Sequence, residues 1–91
     1  MTISPDTWES LLRQVGPAHH AAFAATDGED PDWPLWYSRW LLQRLPPTVG
    51  ENLDESRLSL LLEEAAVAHE AGGATEEWPT AYARFLSERA G

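Results

Sequence analysis

Three histidines, His19, His20 and His69, are the side chains of this chain that change charge nearest neutral pH, and Glu63, Glu64 and Glu70 stand close to the last of them. Imidazole and carboxylate together form the ligand set of zinc and non-haem iron, so the first question is whether their spacing makes a metal site. It does not. Di-iron four-helix bundles place Glu three residues before His on one helix face, whereas here Gly16 precedes His19 and Ala66 precedes His69 at that interval. Two histidines without a third ligand also fall short of a catalytic zinc site. The expectation is therefore that these rings satisfy their nitrogens at the edge of a core, with no metal and no cofactor.

The other reactive residue types offer as little. Cysteine is absent, which removes thiolate chemistry and disulfides together. Ser10, Ser38, Ser56, Ser59 and Ser87 sit outside any nucleophile-elbow setting. Asp27, Glu29, Asp30 and Asp32 lack the alternating order of a calcium loop and read instead as turn and cap chemistry. We expect no enzyme. A formal charge of −9 opposes phosphate backbones and anionic lipid, so neither nucleic acid nor membrane is an expected partner. An acidic mimic of nucleic acid would rest on that charge alone. The start MTISPDTWESLL has no basic and apolar leader, and no apolar stretch approaches the ~20 residues of a membrane span. A soluble cytoplasmic protein is the corresponding expectation.

The elements that must position these residues are helical. In 5–24, Trp8, Leu11, Leu12, Val15, His19, Ala22 and Phe23 form the stripe of an amphipathic helix, with Ser4 as N-cap and Pro5 at the first helical position. Gly16-Pro17 predicts a kink there, or two short helices. A second helix starts between Pro31 and Pro34 and runs to Leu45, where Pro46-Pro47 stops it. A third follows Asp54 as N-cap, with Leu58, Leu61, Leu62, Ala65 and His69 on one face, and Gly72-Gly73 ends it. The fourth begins near Thr75.

The chain then repeats itself. WPLWYSRWL at 33–41 returns as WPTAYARFL at 78–86, which aligns Trp33, Trp36, Tyr37, Trp40 and Leu41 with Trp78, Ala81, Tyr82, Phe85 and Leu86. Arg39 and Arg44 fall on Arg84 and Arg89 at the same offset of 45. The first and third helices align at an offset of 50, placing Ser4 on Asp54, Leu12 on Leu62 and His19 on His69. One amphipathic hairpin cannot bury its own stripe, and two can. The expected fold is therefore all-α, one domain over residues 1–91. It is a four-helix unit of two tandem αα-hairpins, at about 4–45 and 54–90 with a linker at 46–53, its first helix kinked at Gly16-Pro17.

Where the copies differ, function is easiest to look for. Leu35 and Leu42 point away from the second helix's stripe, and Thr80 and Ser87 replace them in the fourth. Leu60 and Val67 lie behind the third helix's stripe, where the first has Ser10 and Pro17. Either the middle helices are interior neighbours, or Leu35, Leu42, Leu60 and Val67 form an exposed face for a protein partner or a second copy. Trp36, at the stripe's edge, is Ala81 in the other copy. With His19 and His69 it marks a candidate ligand pocket between the hairpins. Arg39 and Arg84 flank the stripe and are expected to lie over a ring and pair with a carboxylate, while Arg44 and Arg89 sit in last turns beside helix carbonyls.

The segments AHEAGGATEEWPTAYARFL and AHHAAFAATDGEDPDWPLWYSRWLL resemble a helical pattern of small bacterial proteins, found also in tails after some glyoxalase-like domains. It consists of His, an acidic Gly-containing turn, then Trp-Pro-x-x-Tyr-Ala/Ser. The resemblance covers about half the chain and carries no activity with it. The expected function is a non-catalytic module for protein binding or self-association, with a small-ligand or metal binder as the alternative.

Overall fold

The computed structural model describes residues 3–45, 53–73 and 75–90. Its regular elements are all helical: α1 (Pro5–Ala22), α2 (Trp33–Leu42), α3 (Glu55–Ala71) and α4 (Trp78–Arg89), with a short 3-10 turn at Ala24–Thr26. The expected linker lies outside the described residues apart from Leu53. No described helix is long and apolar enough to cross a membrane.

The helix starts follow side-chain chemistry. The Ser4 hydroxyl accepts from the Thr7 amide at 3.2 Å, and the Asp54 carboxylate accepts from the Arg57 amide at 2.8 Å. Each satisfies an amide that helix geometry leaves orphaned, at a typical value of about 1 kcal/mol. Helices α2 and α4 both begin with Trp-Pro, whose proline needs no amide partner at that position. At the end of α3, Gly73 takes a φ of 89° and donates to the Glu70 carbonyl, closing the helix in a conformation that a side chain would strain.

Helix α1 runs unbroken through Gly16-Pro17, so it is one helix rather than two short ones. Tolerance of this pair has a packing reason. A Cβ on Gly16 would stand 3.0 Å from the six-membered ring of Trp78, so the missing side chain gives the indole its seat on α1. Arg13, one turn earlier, reaches the same region of α4 by donating to Glu77 at 2.8 Å and to Thr80 at 3.3 Å.

Each helix packs chiefly on the other half of the chain: α1 with α4 most extensively, and α2 with α3. The hairpin contacts α1–α2 and α3–α4 complete a ring of four helices. The arrangement is compatible with two related hairpins, since Trp8, Leu12 and Val15 of α1 and Leu58, Leu62 and Ala65 of α3 are buried at equivalent positions. Leu41 and Leu86 are buried likewise, and Ile3, Leu45 and Leu53 close the ends of the same core. One equivalence is broken by a polar contact. Ser38, fully buried, donates to the Pro34 carbonyl at 2.7 Å and meets the Ser59 hydroxyl at 3.0 Å, where α4 has buried Ala83. The Trp8 indole N–H is buried without a partner among the described residues.

Burial ranks the leucines sharply. Leu62→Ala, which empties the centre of the ring, should cost about 3 kcal/mol, while Val67→Ala should change stability by less than about 0.5 kcal/mol, both read from urea unfolding at fixed pH. Equal losses would mean that α3 does not turn Leu62 inward and Val67 outward.

Candidate ligand site between the halves

Four aromatic rings meet where α2 and α4 approach α1. Trp33 and Tyr37 stand edge to face with centroids 5.0 Å apart, and their counterparts Trp78 and Tyr82 do the same at 5.2 Å. Tyr37 joins the two pairs by meeting Trp78 at 6.1 Å. None of the four rings is fully buried. They line an open hollow of about 370 Å³ together with His19, Gly28 and Asp30. A second hollow, of about 560 Å³, shares His19, Gly28, Tyr37 and Trp78 with the first and extends it past Gly16, His20 and Asp27.

The wall opposite α4 is held by one carboxylate. Asp30 Oδ1 accepts from the Asp32 amide at 3.0 Å, which tightens the turn before α2, and Asp30 Oδ2 shares a hydrogen bond with His19 Nε2 at 3.1 Å. Asp30 thus pins the acidic loop to α1. The pair is nearly sealed from water, with side-chain exposures of 7% for His19 and 11% for Asp30. Phe23, Trp36 and Tyr37 surround the imidazole at centroid distances of 4.7, 5.1 and 5.2 Å. The loop itself turns through Asp27 and Gly28, both with positive φ, and its Gly28 amide returns to the Phe23 carbonyl at 2.9 Å.

These positions divide the expected pocket residues. His19 and Trp36 do come together, but Trp36 supports the imidazole from behind rather than lining the hollow. His69 is elsewhere. It packs on Tyr82 at 6.0 Å and lines a separate hollow of about 200 Å³ with Glu76 and Arg84. Each histidine keeps to the tyrosine of its own half, because Tyr37 and Trp78 occupy the junction where the two imidazoles would have met. Among the described residues, no three His, Asp or Glu side chains are grouped as metal ligands.

Of the expected interface residues, Leu60 and Val67 are 56% and 68% exposed and flank a groove with Phe85 and Arg89. Leu35 and Leu42 are half-buried, and Leu42 packs against the core. The arginines follow expectation in part: Arg44 donates to the Trp40 carbonyl at 3.0 Å, as a last-turn cation should, but the ring contacts fall to Arg44 and Arg89. Arg44 and Arg89 lie over Trp40 and Phe85, at 3.7 and 4.0 Å from the ring centroids, since a residue four positions on sits directly above the ring. Arg39 and Arg84 pair with carboxylates as expected, with Glu55 at 2.7 Å and Glu76 at 2.6 Å. The hydrogen bonds from Arg84 hold the Glu76 carboxyl below its ordinary pKa, though both groups are well exposed.

Their spacing puts Trp33, Tyr37, Trp78 and Tyr82 on inward stripes, and all four do pack against the core while remaining partly open. Retention of large aromatics in both copies does not single them out, because Trp40 and Phe85 are retained as well and line no part of this hollow. No family model, no curated protein and no solved structure matches the chain.

Burial raises the pKa of both phenols, and for Tyr82 the neighbouring Tyr37 and Glu70 add to the shift. A raised folded-state pKa favours the protonated form in the native protein, so this stabilisation is complete below the unfolded value and disappears as pH rises through the folded one. With no Lys and no Cys, little else titrates in that window. Urea midpoints should fall as pH is raised from about 9 to about 11, and Tyr37→Phe with Tyr82→Phe should flatten the fall. A slope unchanged in the double variant would remove the phenols as its cause.

Proposed function

We propose that the chain is a non-catalytic ligand-binding domain whose site is the aromatic hollow between its two halves. The observation that carries this reading is the convergence of Trp33, Tyr37, Trp78 and Tyr82 with one nearly buried carboxylate around about 370 Å³ of open space. All four rings pack against the core and yet stay only partly buried, so part of their surface is left to the hollow. Ligand sites are typically concave, mostly apolar and punctuated by few polar groups, and this volume lies near the small end of their range. The one titratable pair in the wall, His19 with Asp30, is engaged in holding the acidic loop on α1, which favours binding over acid–base chemistry.

The test is amide and indole NMR of the intact protein against a panel of small neutral, cationic and anionic organic molecules. We expect the indole signals of Trp33 and Trp78 to move with at least one class while that of buried Trp8 stays fixed. A panel that moves neither indole overturns the reading.

A second reading has its own observation. Leu60 and Val67 are the exposed large apolar side chains among the described residues, and they lie on one groove beside Phe85. Such a groove suits a protein partner or a second copy of the chain. If self-association uses it, Leu60→Ser with Val67→Ser should convert a concentration-dependent dimer to monomer in sedimentation equilibrium without loss of stability. A monomer at every concentration in the parent protein removes the second-copy form of this reading.

A further inference from the structure

The hollow between the halves has a chemical polarity that its shape alone does not state. We infer that it accepts an organic cation whose nitrogen is quaternary or multiply alkylated, held among the rings of Trp33, Tyr37, Trp78 and Tyr82 and balanced by Asp30. This rests on the hollow being a ligand site.

Aromatic rings attract cations because their faces carry the negative side of a quadrupole, and indole does so most strongly. Edge-to-face packing covers only part of each ring, and all four rings remain partly exposed. Two such pairs, Trp33 with Tyr37 and Trp78 with Tyr82, border the hollow. The chain already uses this attraction elsewhere, since Arg44 and Arg89 cover Trp40 and Phe85. Among the described residues no arginine lines the hollow, and the chain has no lysine. Its rings are therefore left without an internal cation.

Charge points the same way. Asp30 lines the hollow, Asp27 lines its extension, and the whole chain carries −9. An anion would meet both carboxylates with only imidazoles to offset them. The alkylation follows from hydrogen bonding. Both oxygens of Asp30 already have one donor each, from Asp32 and His19, and with the side chain only 11% exposed a primary ammonium finds little of the remaining lone-pair capacity within reach. An alkylated ammonium has no N–H, or at most one, to satisfy. It gains from the negative charge through proximity alone, and its methyl groups suit ring faces.

The experiment titrates the intact protein, by calorimetry and by the Trp33 and Trp78 indole signals, with three probes. These are choline, its uncharged carbon isostere 3,3-dimethyl-1-butanol, and a short peptide bearing trimethyllysine. We expect choline or the peptide to bind at least about tenfold more tightly than the isostere, as a few cation–ring contacts would give. We also expect Asp30→Asn, which keeps the shape of the wall, to weaken the charged probe more than the neutral one. Preference for choline assigns a small free cation, and preference for the peptide assigns an alkylated side chain of another protein. Equal affinity for choline and the isostere overturns the cation while leaving an apolar ligand site. Binding of none of the three overturns the cation too, and the wider panel then decides whether the hollow binds anything.

Discussion

The structure depends on one close approach, the seating of Trp78 against the bare backbone of Gly16. It brings the first turn of α4 onto the middle of α1, and that is the most extensive helix contact in the molecule. From there Trp78 reaches Tyr37, and the two aromatic pairs join across the halves. A side chain at Gly16 would displace the indole, open the junction and separate the rings that border the hollow. Helical glycine is usually a local cost of roughly 1 kcal/mol against alanine, and here the cost is offset by the packing it permits.

That seat also accounts for the asymmetry between two similar halves. The position equivalent to Gly16 in α3 is Ala66, and the hollow near His69 is smaller and lined by exposed charges, Glu76 and Arg84 among them. The longer loop of the first half supplies what the second lacks. Its Asp30 folds back on His19, so one imidazole is buried and fixed while the other lies half-open against Tyr82. Two copies of one sequence pattern thus yield one polar, anchored wall and one solvent-facing edge.

Much of this fold was legible in residue order. Apolar spacing and caps located four helices, and Ser4, Asp54 and Gly73 behave as their types require. Repetition of Trp-Pro-x-x-Tyr pointed to a symmetric core. The site was only half legible, because a helical stripe tells which residues face inward but not which of them stop short of closing. Trp36 looked exceptional since its copy is Ala81, yet it supports the His19 ring and does not line the candidate hollow. Leu60 and Val67 turn outward, a choice between interior and exposed that their positions behind the stripe left open. Leu35 and Leu42 are only half-exposed, and Leu42 packs against the core.

The measurement that reaches the central claim most directly is the set of intermolecular nuclear Overhauser contacts from the methyl groups of saturating choline to the protein's ring protons. The account predicts contacts to Trp33, Tyr37, Trp78 and Tyr82, and none to Trp8, Trp40 or Phe85. Contacts confined to Trp40 and Phe85, or spread evenly over exposed side chains, would contradict a site built where the two halves meet.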